Sequence, residues 1–162
     1  MTEAAKVASF KNRKGQHMFK RMMKSTVTVY HKRGEDVNGR GIYEKYILKN
    51  VRFERKESVR PTDTGLLPYN SFKLYVNTKI CGELIYAQKN DYAAMTESAR
   101  KKCWTVKEGD MITMGETDFS LDGGADEIKK KCEIFTVYSV TADRLTDAKI
   151  IEISGRGRML YQ

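Results

Sequence analysis

Alternation of apolar and polar residues recurs along most of the chain and predicts strands. In Thr26 to Lys32, Val27 and Val29 alternate with Thr28 and Tyr30, and the glycine-containing stretch Gly34 to Gly41 reads as the turn of a first hairpin. A second pattern runs from Glu44 to Arg55, clearest where Val51 and Phe53 face one way and Arg52 and Glu54 the other. Phe72, Leu74 and Val76 repeat it over Phe72 to Asn77. Further strand signals follow at Leu84 to Ala87, Thr105 to Val106, Met111 to Met114, Glu133 to Thr141 and Lys149 to Ser154. Asp91 to Lys102 opens on a capping residue and ends on basic ones, which predicts one short helix. Many short strands with little helix make the chain mainly β, a small antiparallel β-barrel or sandwich.

The two prolines, Pro61 and Pro68, both fall in Lys56 to Ser71. Proline fixes φ and gives no donor to a ladder, so this segment reads as a long inter-strand loop over residues 56–71. A loop of that length inside a compact domain is uncommon and often functional. Residues 116–131, with Gly123, Gly124, scattered carboxylates and then three lysines, read as a solvated surface insertion. The expected organisation is a basic N-terminal arm over 1–24, a β-barrel domain over 25–154 and a basic tail over 155–162.

Charge sharpens this picture. Thirty Lys and Arg against 21 Asp and Glu leave a formal charge of +9 over 162 residues, which suits a polyanionic neighbour. Met1 to Lys24 holds seven basic residues against Glu3 alone, so +6 of that +9 lies in the arm. Phe10, Phe19 and Met22 are interleaved with Arg13, Lys14, Lys20 and Arg21 there. Apolar anchors among cations serve no purpose until a partner buries them, so the arm reads as a docking segment. No apolar run is long enough to span a bilayer, and no secretory leader pattern opens the chain, so a protein made in a cytoplasm is expected.

The sequence assembles no catalytic constellation. His17 and His31 have no patterned nucleophile or carboxylate beside them and read as ordinary surface residues. No glycine-rich phosphate fingerprint is present. Asp118, Asp122, Asp126 and Glu127 only loosely follow a calcium loop, and Leu121 and Gly123 interrupt it. Three widely spaced cysteines, Cys81, Cys103 and Cys132, fit neither a disulfide framework nor paired metal ligands. No enzyme activity, metal or cofactor is therefore expected. Lys107-Glu108-Gly109-Asp110 before Met111 reads as a tight structural turn.

Three stretches together carry a family resemblance: Thr26-Val27-Thr28-Val29-Tyr30-His31-Lys32, the long strand Tyr46 to Arg55, and Val106-Lys107-Glu108-Gly109-Asp110-Met111-Ile112 leading to Ile134-Phe135-Thr136-Val137-Tyr138-Ser139-Val140. Over about Ser25 to Ser154 the chain resembles the head closure proteins of tailed bacteriophages, also called stopper or head-tail joining proteins. That resemblance implies a structural virion protein of the neck, forming a homo-oligomeric ring between portal or adaptor and tail proteins, retaining packaged double-stranded DNA and offering a tail docking platform. It implies that Arg55, Lys56, Arg60 and Gly65 belong to a channel loop facing DNA. The arm would dock to a neighbouring ring through Phe10, Arg13, Lys14, Phe19, Lys20, Arg21 and Met22. The extra segments 80–103 and 116–131 exceed the compact family pattern. Two alternatives are another neck or tail-completion protein, and a single-stranded nucleic-acid-binding β-barrel stacking bases on Tyr43, Tyr46, Phe53, Tyr69 and Tyr75.

Overall fold

A computed structural model describes residues 23–121, 128, 130–142 and 150–158. Among the described residues the elements with defined bounds are β1 (Ser25–Glu35), β2 (Gly41–Thr62), β3 (Gly65–Asn77), β4 (Ile85–Tyr86), α1 (Lys89–Ala94), α2 (Glu97–Arg100), β5 (Cys103–Trp104), β6 (Met111–Met114), β7 (Ile134–Ala142) and β8 (Ile150–Arg158), and residues 128, 130 and 131 are helical too. Six of the strands close an antiparallel barrel in the order β1-β2-β3-β8-β7-β6, with β6 pairing back to β1. The mainly β, barrel architecture read from alternation is the one the chain adopts.

The barrel interior is filled by the apolar positions of the alternating runs. Val27, Val29, Leu48, Val51, Phe72, Leu74, Val76, Ile112, Phe135, Val137, Ile151 and Ile153 form one buried cluster. Phe53, Phe72 and Phe135 meet within it at ring centroid separations of 5.0 to 5.5 Å. The crossing from β3 to β6 adds Cys81, Trp104 and Val106 to the same cluster. Burial pushes the Cys81 thiol up, with the Trp104 side chain partly offsetting it, which suits an inert core cysteine.

β1 is buried on both faces from Val27 to His31. Its outer face is covered by residues that sequence reading assigned to a solvated insertion. Leu121 and Ile128 join Tyr30, Met111 and Ile134 in a second apolar cluster, with Phe119 packed against it. The Tyr30 hydroxyl meets Thr117 Oγ1 at 2.6 Å, and Thr28 Oγ1 donates to the Gly115 carbonyl at 2.8 Å. The described part of 116–131 is therefore a cover over β1, and its polar composition hid the few apolar residues that seat it.

Other expectations change in detail. The single helix is two short ones, broken where Met95 and Thr96 take extended backbone. The strand expected at Thr105 to Val106 instead occupies Cys103–Trp104 and pairs in parallel with β4. The segment expected as a basic tail from Gly155 begins as strand, since β8 runs to Arg158. Gly155 and Gly157 have little strand propensity of their own, yet each lies under an aromatic ring, Phe72 and Phe135 respectively, that a side chain there would displace.

The segment 56–71 is the main correction. It is not a loop: β2 and β3 pair without interruption from Arg52↔Tyr75 to Thr62↔Gly65, leaving Asp63 and Thr64 as the turn. Gly65 has φ +130°, a conformation other residues adopt at a cost, and its carbonyl accepts from Thr62 Oγ1 at 2.8 Å. Both prolines sit in strands. Having no N–H, each must occupy a pair that exchanges no hydrogen bonds, and the register agrees: Pro61↔Leu66 and Val59↔Pro68 are two steps apart.

Candidate functional site

The hairpin made by β2 and β3 leaves the barrel. Among the described residues, β2 beyond Val51 pairs only with β3, and β3 before Asn70 pairs only with β2. From Glu57 to Thr62 and Gly65 to Asn70 the two strands form a ribbon, about 20 Å long at the usual strand rise. Ser25 is opposite Val51, so the ribbon departs from the end of the barrel at which the chain enters β1. The junction with the arm and the ribbon thus share one end of the molecule.

Period-two geometry gives the ribbon two unlike faces. Val51 and Phe53 point into the barrel, and the same face continues outward through Arg55, Glu57, Val59 and Pro61, with Leu66 opposite Pro61. Arg52, Glu54, Lys56 and Arg60 belong to the other face, which continues the outside of the barrel. Val59 is 61% exposed and Leu66 73% exposed. One face is therefore apolar toward its tip, and the other carries Lys56 and Arg60.

The four residues assigned to a channel loop do not act as one group. Arg55 stands at the root, where Nη1 donates to Glu133 Oε2 at 2.7 Å and Nη2 lies 3.0 Å from Glu57 Oε1. Two carboxylates flank its single charge, and Asn70 Nδ2 reaches the other Glu133 oxygen at 3.4 Å, so Arg55 ties the ribbon to the residue before β7. Lys56 and Arg60 are exposed, and among the described residues neither has a carboxylate at ion-pairing distance. Gly65 closes the turn. Phe10, Arg13, Lys14, Phe19, Lys20, Arg21, Met22 and His17 lie outside the described residues, as do Asp122, Asp126 and Glu127 of the loosely spaced carboxylates. Among the described residues no three of His, Cys, Asp or Glu gather as metal ligands.

The aromatics of the nucleic-acid alternative do not line a common groove. Tyr46 is buried, Phe53 packs on Phe72 and Phe135, and Tyr43 packs against the second cluster. Tyr75 lies under the Arg52 guanidinium at 5.8 Å, and the Tyr69 side chain is outside the described residues. Core packing took Tyr46 and Phe53, as it usually takes aromatics in strands.

At the opposite end a polar clasp corrects the reading of His31 as a surface residue. His31 is 5% exposed, and its Nδ1 lies 2.8 Å from Asp110 Oδ2. Asp110, fully buried, also accepts from the Lys107 amide at 2.8 Å and the Lys32 amide at 3.0 Å. The Gly109-Asp110 turn was legible as structure; its partner 79 residues away was not. Beside it, Glu44 accepts from the hydroxyls of Tyr46 and Tyr92, and Tyr92 stands edge-on to His31 at 5.6 Å.

This clasp has the elements of an acid-base pair but no nucleophile. Burial first, and then the Glu44 carboxylate, push the Tyr46 phenol far above its ordinary value, and burial raises Tyr92 as well. Neither phenol ionises readily. What the arrangement does is bind β1, β2, α1 and the β6 turn together. Burial opposes ionisation of Glu44, but donation from Tyr46 and Tyr92, with Arg33 and His31 nearby, overcomes it and holds its carboxyl below the ordinary value. A depressed folded-state pKa contributes stability above the unfolded pKa and loses it as pH falls through the folded value. The Tm difference between wild type and Glu44→Gln should therefore be largest near neutrality and shrink below about pH 4.5. A difference that stays constant down to acid pH would place the stabilisation elsewhere.

Residues 22–156 match the model of a family of unknown function (DUF6751). The chain belongs to that family. The match to DUF6751 takes in the ribbon, the clasp and the barrel up to the last two residues of β8, and it begins at the residue before Met23, leaving residues 1–21 of the arm outside the shared part. Comparison with curated proteins finds no significant match.

Proposed function

We propose that this DUF6751 member is a structural protein of a tailed-phage neck, a ring of copies that closes the portal channel, retains packaged DNA and receives the tail. The observation that carries this reading is the ribbon. A two-stranded hairpin standing clear of its barrel is marginal by itself and gains stability once an assembly surrounds it. A barrel with a short rigid body and one long projection suits a ring whose projections converge on an axis. The resemblance read from the first strand, the long second strand and the Gly109-Asp110 turn supports the same assignment.

In that ring Lys56 and Arg60 would face DNA phosphates, and Arg55 would hold the ribbon's root. Contact of this kind is electrostatic and blind to sequence, and it weakens steeply with salt. Two cations per copy are weak alone; their effect grows with the number of copies around the channel. The arm, with its anchors Phe10, Phe19 and Met22 among Arg13, Lys14, Lys20 and Arg21, would hold each copy to an acidic surface of the adjoining ring.

The double substitution Lys56→Glu, Arg60→Glu lies on exposed positions and should leave the circular dichroism spectrum and Tm unchanged. Heads completed with it should lose their genome to nuclease at moderate salt, while wild-type heads keep theirs. Heads that retain DNA as well as the wild type would remove Lys56 and Arg60 from the channel.

A further inference from the structure

We propose that the inner face of the ribbon tip, Val59, Pro61 and Leu66, is a docking surface for a second copy of this chain, engaged face-on and not through the strand edges. The three residues share one face by register, and Val59 and Leu66 are among the most exposed large apolar residues described. An exposed apolar group on a protruding element marks an interaction site.

The prolines decide how that site is used. At pairs without mutual hydrogen bonds, each residue turns its own N–H to the outer edge of the ribbon. Pro61 therefore removes a donor from the β2 edge, and Pro68 removes one from the β3 edge. Pro68 is also the next outward-facing position after Asn70, and the ladder of β3 with β8 ends in the described residues at Asn70↔Gly157. Proline on an exposed edge is a common guard against strand addition. Both edges are interrupted while the face is left open.

Charge and area point to a copy of the same chain as the occupant. The chain carries +9 overall and repels itself, so a self-contact is least costly through a locally neutral element. Over Lys56 to Ser71 the bases Lys56 and Arg60 are balanced by Glu57 and Asp63, a net charge of zero. An acidic bilayer would instead be met by clustered basic residues. Three side chains cover far less than the roughly 800 Å² per partner of a stable pair, so one contact is weak and becomes effective only when repeated around a closed assembly. The inference deepens the ring reading and rests on it for the number of copies, not for the contact.

Sedimentation velocity of the purified full chain, from micromolar to near-millimolar concentration, tests it without any heads. Wild type should be monomeric when dilute and self-associate as concentration rises. Val59→Asp with Leu66→Asp should weaken that association at least about tenfold, because it puts charge on the apolar face. The milder Leu66→Ser should weaken it partially, and the charge-conserving pair Lys56→Arg with Arg60→Lys, on the opposite face, should not. Wild type that stays monomeric throughout, or aspartate variants that associate like wild type, would overturn the proposal. Rings seen on heads alongside either result would overturn this contact and leave the ring reading standing; normal self-association with bare heads would do the reverse.

Discussion

Gly155→Val is expected to yield no folded protein. A Cβ at Gly155 would overlap the carbonyl oxygen of Thr136 on β7 and lie 2.7 Å from Cε1 of Phe72. The first obstacle is backbone held in a ladder, so it cannot move aside like the end of a flexible side chain. The position lies where the β7–β8 register shifts between Val137 and Ser139, and Phe72 is one of three rings filling the core. Relieving the overlap means parting β7 from β8, which opens the barrel. Even Gly155→Ala should cost about 3 kcal/mol or more, at the upper end of overpacking effects. Gly34, with nothing within 4 Å of the added atom and no positive φ, is the matched control. Gly34→Ala should fall within about 0.5 kcal/mol of wild type in urea unfolding. A soluble Gly155→Val protein with the wild-type spectrum would contradict the β7–β8 packing described here.

Asp110→Ala should be the most damaging polar substitution. The carboxylate is fully buried and accepts from Lys32 N, Lys107 N and His31 Nδ1. Alanine leaves those buried groups without an acceptor in a place water does not reach. The cost should be about 3–5 kcal/mol, from three donors left unsatisfied at about 1–3 kcal/mol each. For a chain of this size that is roughly a 10 °C fall in Tm. Asp110→Asn keeps one carbonyl oxygen and the side-chain volume, and should lose less than Asp110→Ala. Equal losses from the two variants would mean that shape, not the acceptor set, is what the site requires.

The contrast between these two sites shows what the chain makes legible. Thr26 to Lys32 was visible because Val27 and Val29 alternate with Thr28 and Tyr30, although a cover on the outer face buries that second set as well. The Gly109-Asp110 turn was visible because turn chemistry is local. His31 was misjudged because its partner belongs to another strand end, and nothing within a short window signals that pairing. β8 was cut short because Gly155 and Gly157 read as tail until the rings of Phe72 and Phe135 are placed above them.

The ribbon was misread for a more instructive reason. Proline was taken as a bar to strand pairing, yet a strand tolerates it wherever the N–H would point outward. Val59-Arg60-Pro61-Thr62-Asp63-Thr64-Gly65-Leu66-Leu67-Pro68 carries the signal in retrospect, with the two prolines spaced so that both fall at outward-facing positions. The same alternation separates Lys56 and Arg60 from Val59 and Pro61. Assigned to a loop, those residues had no faces; in a ribbon they have two.

Electron microscopy of the full chain mixed with tailless, DNA-filled heads from the same source tests the ring reading most directly. The account predicts a ring added at the portal vertex, with ribbon density converging across the channel. Heads that remain bare after mixing would contradict it.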